Sequence, residues 1–259
     1  MHPDRSAVKI QGGGLPLSGR GLSLPWKCSV EEESTEELIV HLSRSTIISP
    51  FLVERWVTLR DGASALENKH RITNVGTEDA DFLWGIHPGV AINTSSRIDI
   101  PESEVVIDES SPTDRLGSRG TVYQWPYARA KDGTGVDMRI VRGPDSKTVD
   151  MHYATKFKEG WLSVTDASRG TGIGLVFPAS VFKSVWLWLV YGGWRGLYCA
   201  AVEAWTGHPG ALDQAVRNGT HSSLSPAESL TCETKIVGYS GFKRVTRIRD
   251  DATVEGDAF

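Results

Sequence analysis

The chain has 259 residues, with 28 basic residues set against 32 acidic ones for a net charge of −4. That length suits one large domain with interior enough to fold without a disulfide or metal staple. The near balance of charge excludes nonspecific attraction to nucleic acid or to an anionic membrane.

Alternation of apolar and polar residues dominates the chain. Glu37-Leu38-Ile39-Val40-His41-Leu42 follows an acidic stretch and reads as a strand, and Phe51 to Leu59 reads as another that ends at the turn Asp61-Gly62. Lys69 to Asn74 and Arg97 to Ile100 alternate next, followed by Trp161 to Val164 and Ile173 to Phe177. Val185 to Tyr191 is apolar on both parities, as a central strand requires. Cys232 to Val237 and Arg244 to Arg249 close the series. Only Ala211 to Arg217 has helical character, and the 27 glycines and 12 prolines fall mostly between the strands. Many short strands separated by turns predict an all-β, antiparallel sandwich or barrel. No linker or repeat divides the chain, so 1–259 is read as a single domain whose acidic tail, 250–259, frays.

Cys28, Cys199 and Cys232 lie far apart without a C-x-x-C pair, which fits neither a disulfide framework nor a zinc site and favours a reducing compartment. Met1-His2-Pro3-Asp4-Arg5 has no apolar stretch behind it, so no signal peptide is expected. Asn93-Thr94-Ser95 and Asn218-Gly219-Thr220 are then chance matches to the glycosylation pattern. The longest apolar run has seven residues, far short of the ~20 that a membrane span needs. The expectation is a cytoplasmic protein that acts on neither membrane nor nucleic acid.

Several motifs do not carry the function. Gly170-Thr171-Gly172-Ile173-Gly174 leads into a strand and not into the helix that a dinucleotide fingerprint requires. Gly12-Gly13-Gly14 lacks the P-loop lysine, none of the seven histidines forms H-E-x-x-H, and no G-x-S-x-G elbow occurs. Lys243, Arg244, Arg247 and Arg249 read as a solvated strand face.

Two segments carry chemistry. In Trp84-Gly85-Ile86-His87-Pro88-Gly89, the proline biases His87 toward extended backbone and restricts the direction of its imidazole. A core histidine bonded to a carbonyl is the structural alternative. In Tyr198 to Trp205, Glu203 sits inside an apolar run, where an unpaired carboxylate is costly. Desolvation raises the pKa of such a group toward that of a general base working near neutrality, whereas pairing with an arginine such as Arg195 would make it structural.

Tryptophan is the unusual residue: nine of them outnumber seven phenylalanines and six tyrosines. Trp186 and Trp188 share a strand face by parity, and Trp194-Arg195, between glycines, falls on a loop. Trp84 and Trp205 flank the two segments. Indole faces match the C–H faces of pyranose rings, while carboxylates, imidazoles and guanidinium groups match their hydroxyls.

At these residues the chain resembles the aldose 1-epimerases, or galactose mutarotase-like proteins. Thr73-Asn74-Val75-Gly76 leading to Gly85-Ile86-His87-Pro88 is similar to the segment bearing that family's general-acid histidine. Val202-Glu203-Ala204-Trp205-Thr206-Gly207, followed by Leu224-Ser225-Pro226-Ala227-Glu228, is similar to its Glu-Pro strand and later L-x-P-G-E stretch. The resemblance covers roughly residues 50 to 240 and implies a large antiparallel supersandwich with a sugar cleft. It implies that Glu203 abstracts the anomeric hydroxyl proton while His87 protonates the ring oxygen, with no metal or organic cofactor. Trp84, Trp194, Arg195, Trp205, Arg71 and His152 are then the candidate sugar-binding residues.

Three departures stand out. Ser18 lies where the family has an upstream histidine, Ala204 replaces the proline after the glutamate, and Ala227 replaces the glycine of the later motif. Two readings follow. The first is a mutarotase acting on a free hexose or related sugar; the second is a non-catalytic carbohydrate-binding or regulatory protein on the same scaffold.

Overall fold

The computed structural model describes residues 8–10, 13–15, 25–111 and 115–259, so Ser18 lies outside the described residues. Strand dominates. Among the described residues the only helices are Leu212–Asn218 and the 3-10 turn Pro144–Ser146. The former starts one residue later than its periodicity suggests, with Ala211 at the N-cap, and ends at Gly219 in the left-handed region. No helix among the described residues is long and apolar enough to cross a membrane. All three cysteines are free.

By internal contacts the chain forms two compact units, one of residues up to Leu83 with Gly207–Thr234, the other of Trp84–Thr206 with Lys235–Phe259. The first is built on an antiparallel meander of Lys27–Glu33, Glu37–Ser45, Phe51–Arg60 and Ala65–Asn74. Lys27–Glu33 is exposed along its whole length, so its acidic composition hides a strand from any hydrophobic pattern. The start of Ser229–Ser240 lies beside Ala65–Asn74, where Thr234 meets the buried His70 ring at 3.1 Å. Asn74 ties two sequence motifs together. Its backbone bonds to Ala227 and Glu228, and its fully buried amide donates to the carbonyls of Glu78 and Leu224, each at 2.8 Å.

The second unit holds the sheet that positions the site. Its strand order is Val122–Gln124, Glu104–Ile107, Thr148–Thr155, Ser184–Tyr191, Tyr198–Trp205, with Gly85–Ile86 and Gly89–Ala91 both pairing to the last of these. Ser184–Tyr191 is central, as its apolar run predicts: Thr148–Thr155 and Tyr198–Trp205 flank it in full register. One face carries Val185, Leu187, Leu189, Val202 and Ala204, none of them exposed. A second antiparallel group joins Ser96–Asp99, Trp161–Asp166, Thr171–Val176 and Lys235 to Ser240.

Residues 250–259 do not fray as the sequence suggests. Val254–Ala258 pairs with Phe242–Ile248, and the Phe259 ring lies against Gly170, where a Cβ would come within 2.5 Å of it. Charge explains the difference. Tail carboxylates neutralise the basic strand, Glu255 taking Arg249 and Asp257 taking Arg244 at 3.6 Å, so each run supplies the other's counter-ions.

Candidate active site

Register decides which side chains meet. In the pair Ser184–Tyr191 and Tyr198–Trp205, Trp186 stands opposite Glu203, and Trp205 lies two residues further along on the same face. On the outer side of Tyr198–Trp205, Gly85 pairs with Trp205 and Ile86 with Ala204. Alternation therefore returns His87 to the face of Glu203, and its Nε2 comes within 3.4 Å of Glu203 Oε1. The other carboxylate oxygen, Oε2, accepts from the Trp205 indole N–H at 2.6 Å.

The Trp205 ring is clamped. It stacks on Trp186 with centroids 4.1 Å apart and planes 12° from parallel, and on its other side it presses on Gly85, where a Cβ would sit 2.3 Å from the ring. The glycine before Ile86 is thus a close-approach requirement. Tyr153, across from Trp186 on the next strand, meets that indole edge-on at 5.3 Å.

Burial sets the proton affinities. Glu203 is 2% exposed, and desolvation lifts its pKa to about 7 despite the opposing Trp205 hydrogen bond. His87 has an exposed side chain over the carboxyl, yet partial desolvation lowers its pKa below the ordinary histidine value. On the acid side of about pH 7 a proton rests on the pair, mainly on Glu203, and the titrations belong to the pair. Among the described residues no three His, Cys, Asp or Glu side chains gather as a metal-ligand set.

The other expected residues divide. Trp205 pairs with Gly85, two residues before His87, and donates to the Glu203 carboxylate. Trp194 lies on the turn between the two long strands and meets Trp188 edge-on at 5.6 Å, with the Arg195 guanidinium over its ring at 4.9 Å. Trp194 thus extends the row of indoles from Trp188, and neither it nor Arg195 bonds the Glu203 carboxylate, whose partners are His87 and Trp205. Arg195 therefore does not neutralise Glu203. Trp84 needs correcting: because Gly85 faces Trp205, its neighbour points the other way, and Trp84 packs at 5.2 Å on the fully buried Phe182. His152 needs correcting too. It pairs with Leu187 and so occupies the opposite face, where its Nδ1 meets the Tyr123 hydroxyl at 3.0 Å and burial drives its pKa down to about 4. Arg71 belongs to the other unit, where Glu54 holds it at 2.6 Å and Trp56 lies beneath its guanidinium. Trp186 and Tyr153 join the Glu203 face only through strand register, which the linear sequence does not encode locally.

Comparison with known proteins is informative at the level of fold. No protein-family model matches the sequence, and no curated protein does. Solved structures do match. A protein from Synechocystis sp. PCC 6803 superposes with TM-score 0.65 at 17% identity, over 92% of this chain and 74% of the other. A candidate aldose 1-epimerase from Escherichia coli K12 gives 0.62 at 16% identity, over 91% and 79%. A galactose mutarotase-like protein from Lactobacillus casei ATCC 334 gives 0.53 at 17%, over 90% and 80%. The fold is galactose mutarotase-like. Large antiparallel sheets make up nearly all of it, as the sequence pattern predicts. At these identities the galactose mutarotase-like fold is what the proteins share, and the chemistry has to be argued from this chain's own residues.

Proposed function

We propose that the protein is a cofactor-independent sugar isomerase of the aldose 1-epimerase type, acting on a free hexose or related sugar through Glu203 and His87. The observation that carries this reading is the 3.4 Å contact between His87 Nε2 and Glu203 Oε1 beside the stacked Trp186–Trp205 pair. Mutarotation requires a proton to leave the anomeric hydroxyl while another reaches the ring oxygen. Both oxygens are bonded to the same carbon, so an acid and a base that are neighbours can serve them together. A bound sugar would replace the direct His87–Glu203 contact with one hydrogen bond from each group.

The chemistry balances with the one proton that the pair holds. Glu203 takes the anomeric hydroxyl proton, His87 delivers one to the ring oxygen, the bond from that oxygen to the anomeric carbon breaks, and the carbonyl forms. Rotation about the next carbon–carbon bond and closure, with acid and base exchanging tasks, give the other anomer. Because burial places the resting proton mainly on Glu203, the opposite assignment of tasks serves equally, and both share one pH dependence. The free thiols fit a reducing, cytoplasmic setting.

Optical rotation or anomeric NMR exchange of freshly dissolved sugars tests the proposal. The unaltered protein should accelerate equilibration, and His87→Asn and Glu203→Gln should each lower the rate by about 10²-fold or more. Sugar binding without acceleration would refute the enzyme and leave a non-catalytic carbohydrate-binding protein.

A further inference from the structure

Beside the acid–base pair, the same face of the sheet holds open space. The register along Tyr198–Trp205 runs on from Ile86 opposite Ala204 to Gly89 opposite Ala201. Gly89 therefore faces the same way as His87 and Glu203, one step of the pleat further along. It is exposed, and a Cβ built on it would meet no atom within 4 Å. Next to Gly89 lies the small, buried Ala201, and across from Ala201 stands Trp188.

Trp188 is the opening in an otherwise closed strand: every other residue of Ser184–Tyr191 is buried. It lies about 7 Å along that strand from Trp186 and on the same face. Trp194 meets it edge-on, and the Arg195 guanidinium lies over Trp194 at 4.9 Å. Arg195 is exposed, is held at φ 51° in the left-handed region, and forms no ion pair among the described residues. A shelf floored by Gly89 and Ala201 thus runs from His87 to a half-exposed indole, with a guanidinium beyond it.

We propose that this shelf is a subsite for a second sugar ring, a proposal that rests on the isomerase reading above. The substrate is then a disaccharide or longer saccharide whose free reducing end meets Glu203 and His87. Its next ring lies over Gly89 with its C–H face on Trp188, and Arg195 donates to the outer hydroxyls. Gly89 is the specificity-determining position, because a large side chain there would fill the space of the second ring. An acyl substituent would also suit the indole, but it would leave the guanidinium donors without acceptors.

Glucose is compared with cellobiose and maltose, two disaccharides of different linkage, by anomeric NMR exchange. For at least one disaccharide kcat/KM should exceed that for glucose by about tenfold. Gly89→Leu, which enters open space on an ordinary backbone, should abolish that preference, whereas Gly89→Ala adds too little to block the ring and should keep it. Arg195→Gly, which suits the left-handed backbone, should lower the preference about threefold or more. Calorimetric titration of Glu203→Gln, with and without Gly89→Leu, reads the subsite apart from turnover. Disaccharide binding that Gly89→Leu removes, in a protein that accelerates no sugar, would sink the isomerase and leave the subsite standing. Acceleration of glucose equal to that of both disaccharides, or a preference unchanged by Gly89→Leu, would overturn the subsite and leave the isomerase.

Discussion

Replacing Glu203 by glutamine tests the electrostatics of the site independently of any substrate. The amide keeps the side-chain shape and an oxygen to accept the Trp205 N–H, but it cannot ionise. In the folded protein desolvation raises the carboxyl from an ordinary 4.5 to about 7. A shift of that size corresponds to about 3 kcal/mol between the two protonation states. Because the folded value is the higher one, the associated stability is complete below the unfolded pKa and is lost as pH rises through about 7. Urea denaturation of both proteins should therefore show the unaltered chain losing about 2 kcal/mol relative to Glu203→Gln between about pH 5.5 and 8.5. Titration of the buried histidines His70 and His152, both depressed to about 4, is common to the two proteins and cancels in the difference. Parallel stability curves would mean that Glu203 ionises as an ordinary surface carboxylate, and the argument from its burial would fall.

Four further outcomes are expected. The mutarotation rate should follow a bell in pH, falling on the alkaline side through about 7 and on the acid side below the usual histidine value; a rate flat across neutrality would exclude the pair. Trp205→Phe, which removes the hydrogen bond that holds the Glu203 pKa down, should move the alkaline limb upward in the same profile. Gly85→Ala drives a methyl into the Trp205 ring, so denaturation should show a loss of about 1–3 kcal/mol, and near-ultraviolet circular dichroism should report a disturbed Trp186–Trp205 stack. Ala227 is held at φ 65°, in the left-handed region, and Ala227→Gly should stabilise the protein by about 0.5–1 kcal/mol in chemical denaturation.

Strand positions were largely legible because alternation is local. Phe51–Arg60 and Ser184–Tyr191 form within a residue of where their patterns place them. Lys27–Glu33 was not legible, since an exposed edge strand buries nothing that a pattern could record. Thr148–Thr155 was missed for a different reason: Asp150 and His152 interrupt its apolar run, yet both are buried through partners distant in the chain, Arg115 in a turn and Tyr123 in a strand. The tail was misread because its carboxylates signal disorder until the basic strand they neutralise is seen beside them.

The nine tryptophans mark the division most clearly. The sequence alone determined an all-β chain, a histidine fixed before a proline and a glutamate stranded among apolar residues, because each depends on near neighbours. Only the tertiary structure decided that Trp186 and Trp205 stack beside that glutamate while Trp84 turns toward Phe182. Successive residues of a strand face opposite sides, so a single step of register moves an indole from the site to the core. That register is set by pairing across the sheet, which no stretch of the chain contains by itself.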